Sequence, residues 1–412
     1  MEAIEILEAL LTPEGRTDPY PVYAKAHQLG PVLEMAPGSL LVSGYAEINE
    51  VLRNPGFGCL DYDLTVERFP ESADQLSLAV ISRSILEANP PNHKRMRSLM
   101  SAVFTPRRTS GLEPAITRTT GRLLDAMTEL AGAGGEPVDF MAQFAFSLPV
   151  TVICELLGVP EADRAQFRDL TRDLTAALDL ISDFAMLVPA NEAAAVLTEY
   201  FKGLIKTRRA EPRDDLVSAL AQEADEADGS LSEDELISNL ILLLVAGFET
   251  TTNLFGNGLA LLFQHPATLA ALREGTLSYA DFLEEVLRFD SPVQMTSRIP
   301  LTDGLQVAGR PVPNEPGSEV MLLLAAANRD PRRFIAPELF NPLRPDNVPL
   351  SFGAGGHYCL GAALARLEAN TAFPLLFERF PALAPAGEPV RGEGYNLRGY
   401  RSFPVLLSGA PA

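Results

Sequence analysis

The chain has 412 residues, 47% hydrophobic and 21% charged, a composition that excludes a disordered chain and supports a large buried core. Its 33 basic residues face 54 acidic ones, a net charge of −21, which argues against nucleic acid as a partner and against docking on an anionic membrane. Three dispersed cysteines, Cys59, Cys154 and Cys359, form no C-x-x-C, so they exclude the common zinc, dithiol and C-x-x-C-H motifs and fit a reducing compartment.

The first residues lack the basic and apolar regions of a signal peptide. The longest apolar run, residues 240–248, falls short of the roughly 20 residues that span a bilayer. A cytoplasmic protein without a membrane anchor is expected. Residues 39–43 predict a short strand, and residues 45–52 a helix stopped by Asn54-Pro55. From 56 to 89 the pattern is weak and reads as a long irregular stretch of the kind that usually carries function. Pro90-Pro91 opens a helix that carries His93, Arg95 and Arg97 and breaks at Thr105-Pro106.

Residues 112–209 read as mostly helical, punctuated by Pro149, Pro160 and Pro189. Residues 221–230, AQEADEADGS, read as an acidic loop. Ser232 and Glu235 have the form of a capping box. The helix they start meets no proline until Pro266, about 33 residues or roughly 50 Å. Its middle is apolar around most of its circumference, which predicts burial at the centre. A helix over 280–289, strands over 305–307 and 320–323, an irregular proline-rich stretch over 331–349, a helix over 360–380 and a strand over 403–407 complete the reading. The fold class is mainly α with a minor β region. No long linker and no internal repeat divides the chain.

Three constellations carry chemistry. The first is the run from Phe352 to Gly361, FGAGGHYCLG, just before a helix. A dinucleotide loop needs glycine at 358, where Tyr358 stands, and a phosphate loop needs lysine where Ala362 stands. What remains is a glycine-rich turn with one cysteine at a helix N-terminus, where backbone N–H groups and the helix dipole favour a thiolate. A lone thiolate suits a single-ligand metal site, with axial haem ligation the leading case. Cys59 and Cys154 read as buried structural thiols. The second is Ala246-Gly247-Phe248-Glu249-Thr250-Thr251 in the long helix. A small residue, an acid and hydroxyls that can bond back to the helix suggest a distorted turn where something small binds and protons move; a packing glycine with back-bonded threonines is the bland alternative. The third is Glu285 with Arg288, an (i, i+3) pair that alone reads as a solvated helix pair.

In this order and spacing the three features resemble the cytochrome P450 superfamily of haem-thiolate monooxygenases. The resemblance covers nearly the whole chain. Its haem-loop pattern F-G-x-G-x-H-x-C-x-G matches at every fixed position, its A-G-x-[DE]-T-[TS] matches residues 246–251, and its E-x-x-R matches Glu285 and Arg288. Soluble bacterial members look most similar, from the length and from Asn328-Arg329-Asp330-Pro331. The resemblance implies a triangular helical prism, one domain over 1–412 with β-richer portions about 30–60, 293–325 and 385–408, and haem between the long central helix and the cysteine-loop helix.

By the same likeness Cys359 is the thiolate ligand of haem b. Phe352 lies beside the sulfur, and Gly353, Gly361, Ala246 and Gly247 let the cofactor approach closely. His93, Arg97, Arg298 and His357 pair with the haem propionates. Glu285, Arg288 and Arg344 form a buried structural network. Glu249 and Thr250 serve oxygen activation, one relaying protons and the other holding water. Leu243, Ala246, Val293, Met295 and Leu397 are expected in the wall of an apolar substrate pocket. Dioxygen is the co-substrate, and electrons come from NAD(P)H through a ferredoxin reductase and a ferredoxin, for which Arg107, Arg108 and Arg366 are candidate docking residues. The implied activity is hydroxylation or epoxidation, with tailoring of a bacterial polyketide or macrolide as the suggested role. A peroxide-driven enzyme or an oxidative coupler is the alternative; retention of Thr250 and Glu249 favours oxygen activation. Two local departures, Arg298-Ile299-Pro300 where many relatives have Arg-x-Ala, and a long segment over 313–319, put local β geometry in doubt.

Overall fold

The architecture is organised around one long helix, Glu233–Gln264. In this computed structural model, which describes residues 2–181, 183–226 and 231–408, the helix begins as its sequence requires. The Glu235 N–H donates to Ser232 Oγ (3.2 Å) and the Ser232 N–H donates to a Glu235 carboxylate oxygen (2.8 Å), a reciprocal cap. It ends at Gln264, with one residue, His265, between it and Pro266, which starts the next helix. By length and composition it could cross a membrane, yet 67% of its most apolar window is buried inside the protein. Burial accounts for its apolarity.

Two hydrophobic cores meet on this helix. Its N-terminal half, through Leu240, Leu244 and Val245, packs with the helices Ser147–Leu157, Phe167–Leu174, Val188–Ala210 and Leu216–Glu226. Its C-terminal half, through Leu254, Phe255 and Leu259, packs with Glu113–Ala131, Tyr279–Phe289 and Ala362–Arg379. Each fully buried Leu or Phe contributes about 1.5–3 kcal/mol relative to exposure. The two cores therefore hold the helix from both ends and leave its middle turn to the site. Cys154 sits at 0% exposure in the first core, as a structural thiol should.

The largest sheet has five strands: β1 (Val32–Ala36), β2 (Ser39–Val42), β3 (Phe57–Gly58), β4 (Thr296–Pro300) and β5 (Glu319–Leu322). Their order is β1-β2-β5-β4-β3. β2 runs parallel to β5 and β5 antiparallel to β4, in a register that sets Arg298 opposite Val320. The departure at Ile299-Pro300 leaves β4 intact, because Pro300 lies at its end, opposite Phe57. Small sheets join Leu305–Val307 to Arg310–Val312, and Pro404–Leu406 to both Val138–Asp139 and Ala384–Pro385.

Three expectations change. The stretch 56–89 contains two short helices, Tyr62–Arg68 and Leu76–Ser82, the first capped by Asp61. Both are too short for a visible apolar period. The acidic stretch from 221 is helical through Glu226, and the rest of it, 227–230, lies outside the described residues. Pro149 does mark a boundary, in the first turn of Ser147–Leu157 just after the π-helix Met141–Ala145, where no helical N–H bond is lost. The long helix is assigned without interruption through Gly247 and Thr250, so the expected distorted turn is not a break in it.

Candidate active site

The cysteine loop is closed by its own backbone. The Cys359 N–H donates to the Phe352 carbonyl at 2.9 Å, and the Gly353 N–H to the Leu350 carbonyl at 2.8 Å. Gly355 has φ +68°, and a Cβ there would lie 2.2 Å from the Leu52 carbonyl oxygen. Glycine is thus required twice, for conformation and for the close approach of the helix Tyr45–Arg53. Gly361 precedes the helix Ala362–Arg379, and a Cβ on it would stand 4.0 Å from Cys359 Sγ.

Cys359 is exposed, but into a cavity of about 500 Å³. Burial raises its pKa above that of an ordinary thiol. The Gly361 and Ala362 N–H groups and the Arg97 and Arg366 guanidiniums pull it back without overcoming burial. The thiolate-favouring loop read from the sequence is present, then, but in the bare protein desolvation outweighs it.

One end of the cavity is basic. His93 and His357 stack with ring centroids 3.9 Å apart. Burial depresses both, followed for His357 by Arg298, His93 and Arg97, which together push it down to about 3, so both rings are neutral at pH 7. Arg97 donates to the Tyr358 carbonyl at 2.7 Å. Arg298 is 7% exposed, and its hydrogen bonds among the described residues run to Thr296 and Ser297, not to a carboxylate. Among the described residues His93 Nε2 is buried without a partner. Cys59 is buried as expected, but its Sγ lies 3.9 Å from His357 Nε2, so it belongs to the rim of this cluster.

The opposite wall is the middle of the long helix. Leu243, Ala246, Gly247, Thr250 and Thr251 line the cavity. Thr250 Oγ1 donates to the Ala246 carbonyl at 2.8 Å, the back-bond that the residue types suggest. Gly247 also serves packing, because a Cβ on it would come within 3.3 Å of Ile153. Glu249 points elsewhere and is not in the cavity wall. Burial raises its pKa to about 7, partly offset by Arg172, and its Oε2 has no hydrogen-bond partner among the described residues.

Of the other expected residues, Arg97, Arg298, His357, Phe352, Gly353, Cys359 and Gly361 line the cavity, as do Val293, Met295 and Leu397. His93 adjoins it through His357. Glu285, Arg288 and Arg344 form a separate buried cluster. Arg288 donates to both Glu285 oxygens at 2.7 Å, and Arg344 Nε lies 3.5 Å from Glu285. Asn347, which the sequence did not single out, donates to Glu285 at 3.1 Å.

The cavity also exposes Glu87, Asp179, Glu319 and Glu368, none of which was expected. Glu87 is pushed up to about 7 by burial, against the pull of Arg298. Nothing in a single sequence marks an isolated glutamate before a Pro-Pro pair. The basic patch is weaker than expected. Arg107 is exposed, but Arg108 faces Asp214 at 3.4 Å and Arg366 is held in a two-oxygen pair by Glu284. His27 and His265 have ordinary roles, on the Ala326 carbonyl and the Phe340 ring.

A family model described as Cytochrome P450 matches residues 65–392. The chain is 38% identical over 396 residues to the cytochrome P450 monooxygenase PikC of Streptomyces venezuelae, covering 94% of this chain and 91% of that protein. It is 38% identical over 325 residues to the 6-deoxyerythronolide B hydroxylase of Saccharopolyspora erythraea, covering 78% and 77%. Among solved structures, P450BioI in complex with hexadec-9Z-enoic acid ligated acyl carrier protein aligns with a TM-score of 0.86 at 34% identity, over 96% of this chain and all of that one.

Proposed function

The chain belongs to the cytochrome P450 family and is an oxidoreductase of its monooxygenase kind, and from that premise we propose that it inserts one oxygen atom of dioxygen into an apolar organic molecule, by hydroxylation or epoxidation. The observation that carries this reading is a single cavity with Cys359 on one wall, Thr250 on the other and a cluster of His and Arg at one end. Family membership implies haem iron and dioxygen. The residues fit a haem on three counts. The thiol is alone and faces the cavity, and among the described residues His93 Nε2 is buried without a partner and Arg298 is buried with no carboxylate hydrogen-bonded to it. Two propionates are the complement such a cluster lacks.

Cys359 is the residue that would hold the iron, with Phe352 and Gly361 beside it. His93, Arg97, Arg298 and His357 would hold the propionates. Bound there, the group supplies dioxygen activation and C–H oxidation. The protein does the rest. The apolar wall of Leu243, Val293, Met295 and Leu397 holds an apolar substrate and limits water. Thr250 Oγ1, anchored on the Ala246 carbonyl, presents its oxygen at the cavity wall, where it can hold a water. Glu249, with a pKa near 7, can take up and release protons at neutral pH and is the candidate link from solvent to that hydroxyl.

The similarity to a 6-deoxyerythronolide B hydroxylase supports a macrolide or other polyketide as substrate class. The proposed setting is cytoplasmic, as one domain. Electrons would come from NAD(P)H through a ferredoxin reductase and a ferredoxin docking near Arg107. The absorption spectrum of the reduced protein under carbon monoxide tests the core of the reading. A strongly red-shifted Soret band that is lost in Cys359→Ser is expected. A histidine-type band that survives Cys359→Ser overturns it. Incorporation of labelled oxygen from O2 into product separates insertion from coupling.

A further inference from the structure

The outer wall of the cavity is tied together by a clamp that uses one carboxylate and one carboxamide. Asp179 follows a single turn of 3-10 helix, Thr175–Leu178. Its carboxylate accepts the N–H groups of Leu180 (2.8 Å), Tyr395 (2.9 Å) and Asn396 (3.1 Å). The last two belong to a loop more than 200 residues further along the chain. Asn396 answers in the other direction: its Nδ2 donates to the Leu178 carbonyl at 2.8 Å, while its Oδ1 accepts the Met295 N–H at 3.1 Å. Gly394 leaves room for the carboxylate, because a Cβ there would stand 2.8 Å from Asp179 Oδ2.

The far side of the clamp is rigid. The Asn396 carbonyl accepts the Gln294 N–H at 2.9 Å, and Leu397 bridges to Val293. Tyr23 donates to Gln294 at 2.7 Å and meets the Tyr395 hydroxyl at 3.2 Å, all at buried positions. The near side carries Leu178 and Leu180. Both line the cavity, and so do Val293, Met295 and Leu397. Five wall residues from three separate segments thus owe their mutual position to Asp179 and Asn396. Hydrogen bonds to an ionised acceptor are the stronger kind, and a carboxylate that loses them leaves buried N–H groups unpaired.

We propose that Asp179, through Asn396, is a positioning residue that fixes the outer wall of the substrate cavity and thereby slows the exchange of large ligands. The proposal rests on the haem-monooxygenase reading. It makes a size-dependent prediction, since a small ligand does not need the wall to part. The test uses the haem-loaded protein and two nitrogen ligands, imidazole and the bulky azole econazole, with dissociation followed in the Soret band by stopped flow. Asp179→Asn should raise the econazole dissociation rate by roughly tenfold or more and leave that of imidazole within about twofold, because a loosened wall acts mainly through the off-rate. Asn396→Ala should do the same, and the double variant should be no faster than the quicker single one. If Asp179→Asn does not hold haem, Asn396→Ala carries the test. Equal effects on both ligands, or an econazole rate within about twofold of the parent, overturn the clamp. A parent protein that shows no Soret band after loading with haem removes the haem reading and this inference together.

Discussion

Glu285→Gln is the most demanding test of the scaffold. Arg288 is completely buried and its five N–H donors are all used. Two go to Glu285 at 2.7 Å each, and the others to the carbonyls of Asn328 (3.0 Å), Pro337 (3.0 Å) and Leu339 (3.1 Å). Glu285 is equally buried and also accepts the Asn341 N–H at 2.8 Å. Attraction and desolvation oppose each other in such a pair, so its net worth is small. Neutralising one partner is different, because desolvation of the other stays uncompensated, at about 3–5 kcal/mol. That is a large share of the roughly 5–15 kcal/mol that holds a domain folded. With a urea slope of about 3 kcal/mol/M the midpoint should fall by roughly 1–1.7 M. The chain has no tryptophan, so far-UV ellipticity is the readout. Arg288→Lys keeps the charge but offers three donors for five acceptor contacts, and should fall part of the way. A Glu285→Gln shift below about 0.3 M, under about 1 kcal/mol, would refute the reasoning, since Arg288 would then be stable without its counter-charge.

Gly355→Ala should abolish a correctly closed cysteine loop, because the new methyl meets the Leu52 carbonyl at 2.2 Å; loss of the red-shifted carbon monoxide band at normal helix content checks it. Thr250→Ala should keep that band and lower product formed per reductant consumed, by about tenfold or more if the hydroxyl organises proton delivery, and Thr250→Ser should restore it. Glu249 has a folded pKa of about 7 against an ordinary 4.5, so the folded chain holds a proton that the unfolded chain releases between those values. Stability from this group is greatest below about pH 4.5 and falls as pH rises towards 7, by up to about 3 kcal/mol, and Glu249→Gln should flatten that part of the urea-midpoint profile between pH 5 and pH 7.5.

Much of this was legible because the functional residues are also breakers of local rules. A cysteine among glycines before a helix, and threonines with an acid in an apolar helix, conflict with their surroundings, and such conflicts concentrate at sites. The long helix was legible for the opposite reason: its cap, its period and its stop all agree. What stayed hidden depends on contacts distant in sequence. The pairing of Asp179 with residues 395 and 396 leaves no local trace. Neither does the stacking of His93 on His357, or the placement of Glu87. The helices Tyr62–Arg68 and Leu76–Ser82 are one or two turns long, too short for periodicity to register. The thiol of Cys359 shows the same limit in energetic form. The loop that favours a thiolate can be read from residue types, whereas the burial that outweighs it is a property of the whole fold.

The buried polar atoms without partners carry that argument further. Among the described residues they include His93 Nε2, Glu249 Oε2 and Glu368 Oε2, on three different helices, of which Glu368 lines the cavity, His93 adjoins it and Glu249 does not. A buried polar group left unpaired costs about 1–3 kcal/mol, so a fold under selection for stability alone would remove them. Glu368 is the cleanest case. It is 2% exposed, and burial alone lifts its pKa well above the ordinary carboxyl value. Its carboxyl therefore keeps its proton to higher pH in the folded chain than in the unfolded one, and folding is linked to proton uptake as pH rises through the carboxyl range. That requirement costs nothing below the unfolded pKa of about 4.5 and grows as pH rises above it. Glu368→Met, of similar volume and without the polar group, should raise the urea midpoint at pH 7.5 by the equivalent of about 1–3 kcal/mol and by less at pH 5. A variant less stable than the parent at pH 7.5 would mean that Glu368 has a stabilising partner in the folded protein, and that this buried carboxyl is not held at the expense of stability.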